Sequence, residues 1–391
     1  MEIDLWWLLA LPAFFALGWI AARIDIKHLV RESRALPRSY FRGLNFLLNE
    51  QPDQAIEAFL EAARLDTETL ELHFALGSLF RRRGEMDRAI RVHQNLVDRE
   101  GLSDEQRLHA LSELGQDYLK AGLLDRAEDI FLKLRGTARN EEALKFLLEI
   151  YQQEKEWAKA IAMAESLPGH SEHLWQKEIA EFHCELASSD LLNGRTAEAL
   201  QQIRKALDAN RKCVRANILE GDVALQQGDN ETAIEAWKRV ESQSPIYIAL
   251  VAEKLMEAHR KLGRPEQGLQ LLRGYLERHS SLDLLDVVVR AEQEQGGVEA
   301  AYTLVRDELR RNPTLLGLDK LLESQIMLAP PERRADLELI KNLIHGHTRR
   351  VARYCCDSCG FKARQFYWRC PGCGGWETYP PRRTEEFDLT P

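Results

Sequence analysis

A chain of 391 residues exceeds what one compact core supports and should divide into several units. With 45% hydrophobic and 29% charged residues it is not a chain dominated by disorder. Net charge is −9 but uneven: +4 over residues 23–42, +3 over 349–391 and −14 over 43–348, which argues against a nucleic-acid groove in the middle and suits solvated outer helix faces.

The first predicted element is "LWWLLALPAFFALGWIAA", Leu5 to Ala22, which carries no charge. As a helix it is about 27 Å long, close to a hydrocarbon core of about 30 Å. The residues before it, Met-Glu-Ile-Asp, are acidic where a cleaved signal peptide is basic. Arg23, Lys27, Arg31, Arg34, Arg38 and Arg42 follow it, so the positive-inside rule puts the C-terminal side in the cytoplasm. Trp6, Trp7 and Trp19 suit the interfacial belts. Residues 1–22 therefore read as an uncleaved transmembrane anchor and 23–35 as a basic juxtamembrane linker. A buried helix of a soluble domain is the competing reading.

From residue 36 the chain repeats with a period near 34. A small residue precedes an alanine by twelve in Gly43/Ala55, Gly77/Ala89, Gly115/Ala127, Ala187/Ala199 and Gly221/Ala233. Gly84, Gly122, Gly194, Gly228, Gly263 and Gly296 stand five residues before Ala89, Ala127, Ala199, Ala233, Gly268 and Ala301, where a left-handed helix cap is expected. Larger apolar residues follow four positions later: Phe59, Phe131, Ile203, Trp237, Leu272 and Val305. Pro245 and Pro313 mark the ends of second helices. This is the tetratricopeptide pattern, clearest in Glu220–Pro245, with about eight units over 36–315. The fourth lacks both glycines and rests on Leu148, Tyr151 and Ala160; the seventh has Gly268 where alanine is usual. Residues 316–350 read as capping helices. Such an array buries each hairpin against its neighbours and offers first-helix residues as a concave face for a peptide or protein, although a mere spacer is the plainer alternative.

No Gly-x-x-x-x-Gly-Lys-Ser/Thr, His-Glu-x-x-His or Gly-x-Ser-x-Gly occurs, and no catalytic or cofactor-binding residue is assigned. The histidines of "GHSEH" (Gly169–His173) lack a third ligand, and Ser171 reads as a helix N-cap. His345 and His347 precede a site that four thiolates already complete.

That site lies in the module 351–380, ahead of a tail at 381–391. Cys356 and Cys359, then Cys370 and Cys373, form two Cys-x-x-Cys pairs ten residues apart, four soft ligands for one tetrahedral zinc or iron ion. Gly360 and Gly374 suit turns whose N–H groups face the sulfurs, Pro371 fixes one turn, "FKARQFYW" suggests a short hairpin, and Trp376 and Tyr379 are expected to close over the site. A module this small needs the metal to fold. Cys184 and Cys213 read as core residues and Cys355 as a spare thiol. Three readings stay open: a structural metal cap that docks the end of the array or a partner, a rubredoxin-like electron carrier, and a membrane-tethered RNA-binding scaffold using Arg349, Arg350, Arg353, Lys362, Arg364 and Arg369. A closed site of four thiolates favours the first.

The fold class is thus all-α: a single N-terminal transmembrane helix, a tetratricopeptide superhelix and a small C-terminal rubredoxin-like or zinc-ribbon module. The order of parts, with Leu5–Ala22, the small residues of the repeats and "CDSCGF…WRCPGCGGWET" from Cys356 to Thr378, resembles the lipopolysaccharide assembly protein B family of Gram-negative bacteria over the whole chain. The resemblance implies a non-enzymatic inner-membrane adaptor facing the cytoplasm. It implies that the adaptor presents the lipid A deacetylase LpxC to the membrane protease FtsH for degradation, under restraint from a lipopolysaccharide-sensing inner-membrane regulator. It further implies that Cys356, Cys359, Cys370 and Cys373 are the metal ligands, that the module packs on the repeats, and that Leu5–Ala22 also contacts the protease. Nucleic acid is not expected as a partner, and room is left for a homo-oligomer.

Overall fold

The structure is a computed structural model that describes residues 38–49, 51–65, 70–168, 175–279, 281–351 and 353–384. The predicted anchor, its basic linker and "GHSEH" lie outside these residues. Among the described residues no helix is long and apolar enough to cross a membrane. The chain divides into two compact units, 1–156 and 157–391.

The first unit is a run of helices: α1 (Arg38–Leu48), α2 (Pro52–Leu65), α3 (Leu70–Arg82), α4 (Met86–Val97), α5 (Asp104–Lys120), α6 (Leu124–Leu134) and α7 (Asn140–Glu154). Local chemistry sets their ends. Ser103 and Gln106 form a reciprocal capping box at the start of α5. Ala55, Ala89 and Ala127 are fully buried, as the repeat spacing requires. Where the small residue of a first helix is glycine, it meets the large residue sixteen positions on: a Cβ on Gly43 would lie 2.6 Å from the Phe59 ring, and one on Gly115 2.8 Å from Phe131. In the second hairpin that large position is His93, fully buried, with its ring in the space a Cβ on Gly77 would need. Its Nδ1 lies 2.5 Å from Asp117 Oδ2, and Arg81 binds Asp117 Oδ1 and Glu113 at 2.7 Å each. The fourth repeat, which lacks the loop glycine, keeps the left-handed cap: Lys155 takes φ 60° after α7.

The second unit continues with α8 (Trp157–Ser166), α9 (Gln176–Leu192), α10 (Thr196–Ala209), α11 (Val214–Gln226), α12 (Asn230–Gln243), a 3-10 turn at Pro245–Tyr247, α13 (Ala249–Lys261), α14 (Pro265–Arg278), α15 (Leu282–Arg311), α16 (Leu315–Leu328) and α17 (Pro331–Val351). Trp237 is 1% exposed against Gly221, and its indole N–H donates to the Ile218 carbonyl at 3.2 Å. Gly268 replaces alanine because His259 crowds it; a methyl there would lie 2.9 Å from His259 Cβ. The eighth hairpin departs from expectation at its turn. Gly296 does not take the left-handed cap; the break falls on Gly297, φ 83°, so the first helix runs one residue further than in the other repeats. The unit ends in a three-stranded antiparallel sheet of order β2-β1-β3, from β1 (Arg353–Cys355), β2 (Lys362–Ala363) and β3 (Arg383–Thr384), with Tyr354 opposite both Ala363 and Arg383. The segment Phe361–Trp368 is therefore not a hairpin of its own. Only Lys362 and Ala363 are in strand, and their partner is the chain before the first knuckle.

Candidate metal centre and its seat on the repeats

Two knuckles of matching design bring the cysteines together. The Cys356 N–H donates to Phe361 O and the Gly360 N–H returns to Cys356 O, both at 2.9 Å. In the second knuckle the Cys370 N–H donates to Gly375 O at 2.9 Å and the Gly374 N–H to Cys370 O at 2.8 Å. Gly360 and Gly374, φ 73° and 72°, thus close the turns onto carbonyls. The amides aimed at sulfur belong to Ser358 and Cys359 for Cys356, Phe361 for Cys359, and Gly372 and Cys373 for Cys370. A side chain on Gly372 would come within 3.3 Å of Cys359 Sγ, which accounts for glycine there.

All four sulfurs lie within 4.8 Å of one another, with Cys356–Cys373 at 3.8 Å and Cys359–Cys370 at 3.7 Å. A tetrahedral ion with metal–sulfur bonds of about 2.3 Å requires sulfur–sulfur edges of about 3.8 Å, so the donor set fits one ion. The electrostatics call for a cation. Burial works against a thiolate at Cys356, yet the Thr378 hydroxyl and the Cys359 and Ser358 amides bring it down to about 6. At Cys359 the Phe361 amide favours the thiolate, but burial and the other three sulfurs outweigh it and push the thiol up. Four thiolates share this volume only around positive charge.

The aromatics divide between core and seat. Tyr379, 1% exposed, is the module's own core: its hydroxyl donates to Tyr354 O at 3.0 Å and its ring lies about 6 Å from Phe361, Phe366 and Tyr367. Trp376 packs edge-on to Trp157 of α8 and Phe182 of α9 at 6.0 Å each. Trp368 stacks on Tyr247 at 5.4 Å, with the Arg215 guanidinium 5.5 Å from its ring centre. Arg215 is itself held by Glu181 at 3.2 Å and Glu185 at 2.8 Å. Tyr354 reaches Asp283 at 3.5 Å. The module is therefore seated across α8, α9, α11, the 3-10 turn and α15, not at the end of the array. Its contacts include the first-helix face expected to bind partners.

These seat residues were not singled out from sequence, where Glu181, Arg215 and Asp283 are ordinary helix charges; bulky Trp157 and Tyr247 at helix entries were the available signal. Of the six cations considered for nucleic acid, Arg369 is spent inside the module, donating to Gly374 O at 3.1 Å. His345 pairs with Asp319 at 3.2 Å, outside the cysteine cluster.

Comparison with known proteins agrees with both parts. A tetratricopeptide repeat family matches residues 42–99 and 184–245, and a rubredoxin metal binding domain matches 354–381. Lipopolysaccharide assembly protein B of Escherichia coli (strain K12) is 36% identical over 96% of this chain and 97% of its own. The chain belongs to the lipopolysaccharide assembly protein B family. The Haemophilus influenzae member is 31% identical over 97% of this chain and 98% of its own. A solved structure, the TPR2AB domain of yeast Sti1 with pHSP90, covers 70% of this chain and 95% of that one at 16% identity, with a TM-score of 0.30, too low to bear on the fold.

Proposed function

We propose that this member of the lipopolysaccharide assembly protein B family is a non-catalytic adaptor of the inner membrane. In this reading Leu5–Ala22 spans the bilayer once and residues beyond it face the cytoplasm. The repeats over about 36–315 present the deacetylase LpxC to the protease FtsH, and a lipopolysaccharide-sensing membrane protein restrains the process. Cys356, Cys359, Cys370 and Cys373 hold one zinc or iron ion, whose part is to close the two knuckles into a folded unit. The chain's own residues do the rest: Trp376, Trp368 and Tyr354 orient the module on the repeats, and the remaining first-helix surface is left for partners.

The observation that carries this reading is kinship over nearly the full length of both chains. Physics agrees with it, because a tether confines the binding face to the membrane plane and raises its effective concentration beside a membrane protease. The test is the half-life of LpxC after translation is blocked, in cells with and without this protein. Lengthening by several-fold on depletion is expected; an unchanged half-life removes the adaptor reading. Metal analysis and the absorption spectrum of the purified chain separate colourless zinc from coloured thiolate–iron.

A further inference from the structure

Two cysteines outside the knuckles also meet. Cys184 on α9 and Cys213, immediately before α11, are 29 positions apart in sequence, fully buried, and their sulfurs stand 3.7 Å apart. They sit among Ala180, Ala187, Ile203 and Ala216, so neither sulfur has a metal-ligand partner set; among the described residues the knuckle tetrad is the one such grouping. A disulfide requires about 2.05 Å between sulfurs, which leaves about 1.7 Å to close by side-chain rotation. One polar group reaches the pair: Glu181, 1% exposed, accepts from the Cys213 thiol at 3.9 Å. Its other oxygen is held by Arg215.

We propose that Cys184 and Cys213 are an oxidation-responsive dithiol, converted by a hydroperoxide to a disulfide that joins α9 to α11 beneath the seat of the cysteine module. The Cys213 sulfur attacks the peroxide, the O–O bond breaks, and a sulfenic acid and an alcohol (water, from hydrogen peroxide) form. Glu181 accepts the Cys213 proton and passes it to the departing alkoxide oxygen. Burial pushes the Glu181 carboxyl up to about 7 against the pull of Arg215, which suits it to take up a proton at neutral pH. The Cys184 sulfur then displaces the hydroxyl from Cys213, the S–S bond forms, and the second thiol proton leaves with that hydroxyl as water. Two thiols and one hydroperoxide thus yield one disulfide, one alcohol and one water. Burial holds Cys184 as a protonated thiol, so it serves as the second sulfur and not the first. Access depends on transient opening of the helices, and the reaction is slower than at half-buried Cys355.

The experiment uses the full-length, metal-loaded chain treated with hydrogen peroxide, then alkylated, digested without reductant and weighed by mass spectrometry, with metal release followed in parallel. A linked peptide pair of Cys184 and Cys213, two hydrogens lighter, is expected while the metal stays bound. Glu181→Gln is expected to slow the link about a hundredfold, the low end for a lost proton acceptor. Because Cys184→Ser could disturb the core, the unaltered chain is also equilibrated in glutathione redox buffers, where the same pair should oxidise first among buried thiols. Absence of the linked pair once Cys355 is fully modified would overturn the proposal. So would a link that forms only after metal release or in denaturant.

Discussion

In the hairpin of α11 and α12, one indole fills the gap left by Gly221, and Ala233, Ile234, Ala236 and Val240 are buried beside it. Other hairpins bury Phe59, Phe131 or Ile203 at the matching position, so cohesion is distributed along the repeats. Residues 353–384 have far less: Cys356, Cys370 and Tyr379 are their buried core, two of them metal-ligand positions. Most of what holds the repeats is apolar area, whereas the module has little of it, and in the function proposed above a metal bound at four sulfurs takes its place. The difference teaches where each region should fail, and how far the failure should spread.

The sharpest break is at the sulfurs. A Cys356→Ser/Cys359→Ser double change should abolish metal binding, removing about 10 kcal/mol or more of folding energy from the module. Protease should then cut within 353–384 while far-UV helical signal from the repeats persists; full protease resistance would show that the aromatics alone hold the module. Next comes the apolar filler. Trp237→Ala should cost about 3–5 kcal/mol, read as a lower urea midpoint of the helical signal, with metal content unchanged. A cost under about 1 kcal/mol would mean that the hairpins do not depend on their fillers.

The seam between the regions gives a smaller effect. Trp376→Ala should weaken seating by about 2 kcal/mol, seen as faster hydrogen exchange in α8 and α9 with the metal retained. Metal loss in that variant would place Trp376 in the module's own core, against its contacts with Trp157 and Phe182. The smallest effect is a gain. Lys155→Gly relieves a left-handed cap at φ 60° and should raise stability by about 1 kcal/mol in urea denaturation.

The repeats were legible because glycine and alanine at fixed spacing have few other uses, and the knuckles because paired cysteines do. Spacing alone did not say that the partner of each small residue lies sixteen positions on, so His93 went unread in a series of Phe, Ile and Trp. It also did not say which of two adjacent glycines turns the eighth hairpin, since Gly296 and Gly297 differ only in where the first helix stops. The packing of Trp376 on Trp157 and Phe182 was not legible for a related reason, since those partners lie some two hundred positions away in sequence. The seat was the least legible part, because its residues come from α8, α9, α11 and α15, far apart in sequence.

Repeat proteins are commonly treated as strings of exchangeable beads, to be cut, duplicated or shuffled at will. The imidazole in the second hairpin withdraws that freedom at one joint. His93 belongs to one bead and its partner Asp117 to the next, with Arg81 reaching across to the same carboxylate. A duplication or graft that parts α4 from α5 would leave buried polar groups facing an apolar stranger, at the cost of unmatched desolvation on both sides of the cut. Those two hairpins are inherited, engineered or lost together.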